Sequence, residues 1–487
     1  MSVLAVPTNQ YENTQAVFTR PEAANFLRAA GLPVPNPTKS FWIDSAPDAN
    51  PLAKEGSEGP LTTDADVCII GSGMTGVSAA YAFSKLEEGL KVVILEARDF
   101  CSAATGRNGG HLTPALTEYF AQKQVLYGTE ETLKDYALEN YTASEIVKVI
   151  HENGLEDKVD LVEGGHITLL VTDIEYEEAR ADYAAATAAG QDTSAVTWMA
   201  EEEMAKTHGV SFPAVRIPAH NLWPLKIVTQ LFRLASRTLD LSLHTRTPAI
   251  AVTPVDAGER RWSVQTPRGA VACTSVLHAT NAYASHLLPH LAGAAGIVPT
   301  RGHVAALRAA APLEDLTTAS WDSNEGSEYW FPRPLRRSDK ENTTNPLVIV
   351  GGGREVAVPT YETGIYDDST MNEVVTAALR DVLPGLFPEK YEKGREPEME
   401  WTGIMGFTKL GVPFVGPVID KTREDAPSYE GQYISAGYTG HGMPKAYACG
   451  EAVASMIVAD MKNETWEQPA WLPHRYLTTA RNGLTGL

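Results

Sequence analysis

The chain has 487 residues, of which 43% are hydrophobic and 21% are charged. This composition allows a large core and excludes disordered, collagen-like and disulfide-scaffold proteins. With 61 acidic and 40 basic side chains the net charge is −21, which disfavours partners such as nucleic acid or an anionic membrane. No uncharged apolar run of about 18 residues occurs, so we predict no transmembrane helix.

The first 20 residues contain no basic side chain before Arg20 and no long apolar run, so we expect no secretory signal. The four cysteines lie far apart, without the short spacings of a metal site, at Cys68, Cys101, Cys273 and Cys449. Unpaired cysteines are typical of a reducing compartment. We therefore expect a cytoplasmic protein with reduced thiols and no bound metal.

In chain order, the first segment is a proline-rich stretch over residues 1–62. Proline lacks a backbone N–H and interrupts helices, so this stretch is predicted to be an extended arm with one short helix near residues 21–30. Trp42 is the large apolar side chain that we expect to hold the arm against the body of the protein.

A strand–helix–strand unit follows the arm. Residues 66–70 form a short apolar run, which predicts a strand buried on both faces. A glycine-rich turn comes next, and then a helical pattern over residues 77–88 and a second buried strand over residues 91–95. These elements form one complete βαβ unit.

Helices and strands continue along the rest of the chain without an internal repeat. Helices are predicted at residues 116–153, 173–189, 201–206, 225–239 and 445–460, and strands at residues 166–171, 247–252, 261–266, 270–279, 347–350 and 432–436. Gly351, Gly352 and Gly353 follow a strand, but no helix or acidic partner comes after them. We interpret these three glycines as a turn and not as a second nucleotide site.

The glycine-rich turn of the first unit has the features of a dinucleotide site. Gly71 allows the sharp turn, Gly73 lets the backbone approach a pyrophosphate, and Gly76 lets helix and strand pack closely. The helix N-terminus offers free N–H groups and a partial positive charge to the phosphates. Glu96 lies 20 residues beyond Gly76, at the end of the second strand, where it can accept two hydrogen bonds from a ribose.

The segment after Glu96 indicates which dinucleotide is bound. Residues 97–112 are rich in small side chains, including glycine, serine and threonine, and such a segment cannot form a packed helix interior. We interpret it as backbone wrapped around an extended ligand, to which it offers N–H and hydroxyl donors. An NAD-binding domain usually proceeds directly to another strand–helix repeat, so this segment favours FAD.

With these motifs the chain resembles the FAD-dependent amine and amino-acid oxidoreductases related to D-amino-acid oxidase, glycine oxidase and sarcosine oxidase. Within that family it is most similar to the gamma-glutamylputrescine-oxidase-like fungal members. Four further segments match in the family's order, at residues 105–110, 278–283, 299–302 and 437–443. The resemblance implies these cofactor-binding residues: Gly71, Ser72, Gly73, Met74, Thr75, Gly76, Glu96, Ala97, Arg98, Ala104, Thr105, Gly106, Arg107, Asn108, Gly109, Gly110, His111, Leu112, Ala249, Thr280, Asn281, Gly440, His441, Gly442, Met443 and Pro444.

The fold that the resemblance implies is α/β and α+β. A doubly wound, Rossmann-like FAD-binding domain carries a mixed-sheet substrate domain that caps the flavin. The implied division of the chain is an N-terminal arm (1–62), FAD-binding parts (63–118, 211–295 and 399–465), substrate-domain parts (119–210 and 296–398) and a C-terminal tail (466–487).

The implied reaction is oxidation of a C–N bond in an amine or amino-acid-like substrate. A hydride passes to flavin N5, the imine is hydrolysed, and O2 or another acceptor takes up the electrons. The candidate catalytic residues are His441, Tyr329 and Trp401. His441 lies at the start of the last helix, whose N-terminus would stabilise the reduced flavin. Tyr329 and Trp401 are either walls of a dry amine pocket or ordinary core aromatics.

Departures from the family pattern concern both flavin and substrate. Residues 403–405 contain no cysteine, so we expect non-covalent FAD. Pro444 stands where related enzymes carry a carboxylate-binding lysine, Lys445 is offset by one, and residues 347–350 hold no oxygen-activating lysine. These departures favour a larger amine over a small α-amino acid.

Some assignments stay open at this level. Arg333 and Arg354 are either handles for an anionic group or solvated surface side chains. Two other functional classes also remain, a flavin monooxygenase and a non-catalytic FAD-binding module.

Overall fold

The computed structural model describes residue 18 and residues 28–255, 258, 260–335, 344–422 and 428–481. Its strands are β1 Asp64–Ile70, β2 Lys91–Leu95, β3 His111–Leu112, β4 His166–Leu169, β5 Thr197–Met199, β6 Ala214–Ile217, β7 His220–Asn221, β8 Asp240–His244, β9 Ala251–Pro254, β10 Trp262–Thr266, β11 Gly269–His278, β12 Val298–Arg308, β13 Ser320–Ser323, β14 Glu328–Pro332, β15 Leu347–Gly352, β16 Met399–Phe407, β17 Phe414–Pro417 and β18 Gln432–Ala436. Its α-helices are α1 Phe41–Asp44, α2 Met74–Leu86, α3 Phe120–Tyr127, α4 Thr129–Glu152, α5 Glu156–Val159, α6 Asp173–Ala188, α7 Glu201–His208, α8 Pro224–Ala235, α9 Glu373–Leu386 and α10 Met443–Met461.

Eight strands form a first sheet with a parallel centre. Its order is β17–β18–β11–β1–β2–β8, and β10 and β9 continue from β11 in antiparallel pairing. β1 pairs in parallel with both β2 and β11, and its residues 67–69 are fully buried, as the apolar run predicts. Helix α2 crosses from β1 to β2 and packs against α8 and α10, which cover the sheet.

Eight other strands form a second sheet, in the order β16–β12–β15–β14–β13–β4–β6–β5. All neighbours pair antiparallel except β13 and β4. One face buries an apolar cluster in which Trp321, Trp330 and Phe387 pack edge-to-face or stacked. Helix α9 contributes Leu379 and Leu383 to this cluster. The second sheet is thus a separate layer with its own core.

The N-terminal arm contacts both layers. Trp42 is fully buried, and its indole N–H donates to the Asn108 carbonyl oxygen at 2.6 Å. The carbonyl oxygen of Trp42 accepts from the Trp223 indole N–H at 2.9 Å. The helix expected near residues 21–30 falls mainly outside the described residues.

The predicted fold class is confirmed, with a doubly wound first sheet and a mixed second sheet. The hydrogen bonds place β6 and β16 in the second sheet. The sequence predicts both strands in the FAD-binding part, within residues 211–295 and 399–465. The helix predicted over residues 116–153 is two helices that meet at Gly128, whose φ of +80° suits glycine. The strand predicted from residue 247 begins at Ala251.

The three glycines after residue 350 form the end of β15 and a turn. Gly353 has a left-handed φ of +72°, and a short 3-10 helix, Arg354–Val356, follows it. Among the residues described, no helix is both long and apolar enough to cross a membrane.

Candidate active site

One cavity of about 680 Å³ lies where the first sheet meets the second. Residues that follow four parallel strands of the first sheet line it, namely Gly71 after β1, Glu96 after β2, Ala279 after β11 and Tyr438 after β18. Ligands of doubly wound folds bind at these carboxyl ends. The opposite wall comes from the second sheet, so the cavity is enclosed by both layers.

The glycine-rich turn forms one end of the cavity. Gly71 has a φ of +110°, and a Cβ there would lie 2.6 Å from the Ala279 carbonyl oxygen. A Cβ at Gly76 would lie 2.1 Å from the Gly71 carbonyl oxygen, so only glycine permits this approach of α2 to β1. The N-cap of α2, Gly73, provides no side-chain cap. The Met74 N–H donates to the Thr105 hydroxyl at 3.1 Å, so the N–H groups of Thr75 and Gly76 are the ones left in the first turn for an anion.

Glu96 is buried beside this turn. Its Oε2 accepts from the backbone N–H of Ser72 at 3.0 Å and from the Ser72 hydroxyl at 2.8 Å, and its Oε1 accepts from the Arg98 N–H at 3.0 Å. A carboxylate has about four acceptor positions, so one or more stay available for ribose hydroxyls. These bonds fix the carboxylate at the edge of the cavity.

The segment after Glu96 is held by two arginines whose guanidinium groups bond to other parts of the protein. The Arg98 guanidinium donates twice to Asp368, at 2.9 and 3.0 Å, and Arg98 does not line the cavity. Arg107 donates to the carbonyl oxygens of Thr38, Ser102 and Thr402. Burial lowers the pKa of Arg107 to about 10, against the opposing effect of Asp368. Both side chains position the segment; Arg107 also lines the cavity, whereas Arg98 does not.

Most of the predicted cofactor residues line the cavity, including Thr105, Asn108, Ala249, Asn281 and Pro444. Those that do not line it are Gly76, Arg98, Gly106, Gly110 and Leu112. Gly76 and Gly110 allow close packing, since a Cβ at Gly76 would lie 2.1 Å from the Gly71 carbonyl oxygen and one at Gly110 would lie 2.9 Å from the Leu222 carbonyl oxygen.

Trp401 does not form a wall of the cavity. It is fully buried, and its indole N–H donates to the Arg107 carbonyl oxygen at 2.8 Å. Gly403 and Met405, on the same face of β16, do line the cavity. Trp401 is therefore a support for the segment and not a candidate for contact with substrate.

Tyr329 lies in the wall that the second sheet provides. Its ring fits between two glycines, because a Cβ at Gly109 would lie 2.3 Å from it and one at Gly351 would lie 2.4 Å from it. The ring also contacts that of His111, with the centroids 5.3 Å apart. Burial raises the pKa of Tyr329 to about 12, so the phenol stays protonated.

The two arginines left open by the sequence have different environments. Arg354 lines the cavity, with its guanidinium carbon 4.7 Å from the centroid of the Phe407 ring, and burial lowers its pKa. Arg333 is 7% exposed and donates to Asp160. Neither is a solvated surface side chain, and Arg354 alone of the two faces the cavity.

Several cavity residues escaped the sequence analysis. His166 contacts Ser320 through Nδ1 at 2.8 Å and Asp322 through Nε2 at 3.3 Å. Glu139 is 1% exposed and contacts His441. The signal for Glu139 is a carboxylate on the buried face of α4, three residues after Tyr136 and four before Ala143.

Carboxylates also fix the loop between β3 and α3, several of whose residues line the cavity. Asp182 accepts from the backbone N–H groups of Tyr119 and Ala121 at 2.7 and 2.8 Å. Glu118 accepts from the N–H of Leu116 at 2.8 Å. Burial raises the pKa of Asp182 to about 6. The loop is thus positioned by two carboxylates that accept its backbone N–H groups.

The residues present suit FAD. Beside the phosphate turn and Glu96, Thr113 and Thr280 line the cavity, and their hydroxyl oxygens are buried without a hydrogen-bond partner within the described part of the chain. Helix α10 begins at the cavity with Gly442 as N-cap and no side-chain cap. Pro444 has no N–H and the Lys445 N–H donates to the Gly442 carbonyl oxygen at 3.1 Å, so Met443 supplies the N–H that remains in this turn. A ligand with phosphate, sugar and polar ring edges would satisfy all of these groups.

Residues 66–456 match the family described as "DAO: FAD dependent oxidoreductase". The probable oxidoreductase OrdL of Rhizobium meliloti is 22% identical over 409 residues, which cover 82% of this chain and 84% of the relative. Gamma-glutamylputrescine oxidoreductase of Escherichia coli is 24% identical over 443 residues, covering 84% of this chain and 87% of the relative.

Solved structures share the fold. Glycine oxidase from Geobacillus kaustophilus superposes with a TM-score of 0.61 at 19% identity, covering 85% of this chain and 99% of the other. L-Amino acid deaminase from Proteus myxofaciens superposes with a TM-score of 0.65 at 14% identity, covering 93% of this chain and 99% of the other.

Proposed function

The chain belongs to the DAO family of FAD-dependent oxidoreductases, and on that basis we propose that it oxidises a C–N bond of an amine or amino-acid-like substrate. Named relatives include an oxidoreductase of gamma-glutamylputrescine and oxidases of glycine and iminodiacetate, which supports this substrate class. When bound, the flavin supplies the hydride acceptor at N5.

One observation carries the proposal. The cavity is continuous from the phosphate turn, at Gly71 and Glu96, to Tyr329 and Arg354 on the second sheet. A volume of about 680 Å³ is within the usual range for a ligand site of about 300–1,000 Å³. A dinucleotide held at the first end thus has its ring end facing side chains of the second sheet.

The chain's own residues bind and orient the reactants. The N-terminus of α2 receives the diphosphate, and Glu96 receives the ribose hydroxyls. The N-terminus of α10 offers the Met443 N–H and a partial positive charge to the ring end, where negative charge develops. Tyr329, His111 and Phe407 supply a mainly apolar surround that disfavours an ammonium and so favours the neutral amine required for oxidation.

Arg354 is the candidate handle for an anionic group on the substrate. Its guanidinium lies over the Phe407 ring, 4.7 Å from the guanidinium carbon to the ring centroid, and faces the cavity. Met405 lines the same wall without a charge. Arg354 would pair with an acidic group on the amine, and the lack of a lysine at position 444 favours a larger substrate than a small α-amino acid.

We also propose that FAD is held without a covalent bond and that the enzyme works in the reducing cytoplasm. All four cysteines are buried and unpaired. Cys101 is the cysteine that lines the cavity, and burial raises the pKa of its thiol well above the usual range, which keeps the thiolate nucleophile scarce.

The test is anaerobic reduction of the purified holoenzyme with a panel of primary and secondary amines, with and without a carboxylate. Bleaching of the flavin absorption by at least one amine is expected, with release of a carbonyl product. Bleaching by NADPH alone would favour a monooxygenase. A bound flavin that no amine in the panel reduces would contradict the proposal, and acid-precipitated protein that keeps its yellow colour would contradict non-covalent binding.

A further inference from the structure

Five histidines line the cavity, at positions His111, His166, His286, His303 and His441. Burial lowers the pKa of His111 and of His303 to about 4, so both are weak bases. Burial also lowers the pKa of His286. His166 has both ring nitrogens engaged, by Ser320 and Asp322. His441 differs from these four in its exposure, because its side chain is 45% exposed.

His441 is held by a buried carboxylate from a distant part of the chain. Glu139 Oε2 lies 2.9 Å from His441 Nε2, and the two residues are 302 positions apart. The same oxygen accepts from the Ala115 backbone N–H at 2.8 Å, and Oε1 lies 3.4 Å from Lys445 Nζ. A carboxylate beside Nε2 requires that nitrogen to carry the proton, so Nδ1 is left as the acceptor.

We propose that Glu139 is the positioning residue that makes His441 the proton acceptor for the substrate's ammonium group. The inference rests on the proposed amine oxidation. The ammonium N–H bond breaks, its electron pair stays on the amine nitrogen, and the proton bonds to His441 Nδ1. The imidazolium so formed keeps its Nε2–H bond to the Glu139 carboxylate, and it later releases the proton to water.

The charges around the pair set its pH response. Three cations and two carboxylates meet here with a buried tyrosine: Lys123 from α3, Asp135 and Glu139 from α4, Lys445 from α10, and Arg475 and Tyr476 from the turn at residues 474–476. Burial opposes ionisation of Glu139, but His441 and Lys445 together hold its pKa well below the usual range. Loss of the Glu139 charge would leave His441 facing mainly cations, so its affinity for a proton would fall.

The test compares Glu139→Gln, His441→Asn and the double variant in the FAD-loaded enzyme. We use the amine that reduces the flavin fastest in the panel above. His441→Asn is expected to lower kcat/KM by about 100-fold or more, which is the usual range for loss of a general base. Glu139→Gln should lower it about 10-fold and move the acidic limb of the kcat/KM pH profile down by about 1 unit. The double variant should resemble His441→Asn alone.

A matched control separates positioning from packing. Glu451 of α10 accepts from the Tyr141 hydroxyl of α4 at 2.8 Å, so Glu451→Gln alters the same helix interface without contacting His441. It should leave the pH profile unchanged. If Glu139→Gln does not fold, Glu139→Asp keeps the charge and should keep the pH limb in place while lowering kcat.

A second measurement does not depend on turnover. The His441 imidazole resonance, identified by its absence in His441→Asn, should titrate at lower pH in Glu139→Gln than in the parent. An unshifted titration, or a double variant whose losses multiply, would overturn the role of Glu139. If no amine reduces the flavin while the shift is present, the proposed reaction fails but the Glu139–His441 pairing stands.

Discussion

Asp368 offers the most informative single substitution for stability and cofactor binding. Its side chain is 1% exposed and accepts two hydrogen bonds from Arg98, while Arg107 Nε lies 3.6 Å away. Asp368→Ala would leave two buried guanidinium groups without their counter-charge. Because the Arg98 and Arg107 side chains anchor the segment around the cavity, the segment should also lose its fixed position.

The expected cost follows from burial. Removing one partner of a buried ion pair costs about 3–5 kcal/mol, because the remaining charge stays desolvated. The matched control is Asp99→Ala on the same segment, where Asp99 pairs with Arg246 at 2.6 Å but the two side chains are 31% and 51% exposed. An exposed pair of this kind contributes less than about 1 kcal/mol.

The assay is urea unfolding of the apoprotein followed by circular dichroism, together with titration of FAD by fluorescence quenching. Asp368→Ala should lower the free energy of unfolding by about 3–5 kcal/mol and raise the FAD dissociation constant. Asp99→Ala should change neither measurably. Equal losses in the two variants would show that the buried cluster does not hold the segment, and the reasoning would be wrong.

Three further substitutions test individual contacts. Trp401→Phe removes the donor to the Arg107 carbonyl oxygen and should cost about 1–3 kcal/mol of stability, with an unchanged KM for the amine. A changed KM at full stability would show that Trp401 is a wall of the cavity. Gly351→Ala places a methyl group against the Tyr329 ring, so we expect a loss of about 1–3 kcal/mol in thermal unfolding and a raised KM, and an unaltered KM would argue against Tyr329 as a wall. Burial lowers the pKa of His278 to about 4, so the folded state binds fewer protons than the unfolded state between pH 4 and about 6.5. The contribution of His278 to stability is therefore complete above about pH 6.5 and is lost as the pH falls to about 4. His278→Gln should remove about 3 kcal/mol of that pH dependence in unfolding midpoints measured from pH 4 to 7, and an identical pH dependence would contradict a neutral buried imidazole.

The phosphate end of the site could be predicted because its determinants are local. Gly71, Gly73 and Gly76 lie within six consecutive residues between a buried strand and a helix, and Glu96 ends the next strand. The tight turn, the close helix packing and the ribose contact each depend on residues within one turn or one strand pairing. The residue types at these positions therefore predict the phosphate end directly. The sequence by itself therefore determined the dinucleotide turn and favoured FAD, and its resemblance to a known family implied the doubly wound first sheet.

The boundary between the two sheets depended on pairing between distant segments. β16 follows a predicted boundary at residue 399, yet its hydrogen bonds join it to β12. The alternation of side chains put Trp401 on the same face as Met405, but did not show that the backbone of Arg107 covers it.

Only the tertiary structure decided which charged side chains face the cavity. Arg98 is neutralised by Asp368 from 270 residues away, and His441 meets Glu139 from 302 residues away. The energy of a buried charge depends on its partner and its burial, and neither is a property of the neighbouring sequence. Backbone motifs are fixed by adjacent residues, whereas the electrostatics of the substrate end arise only when separate segments fold against one another.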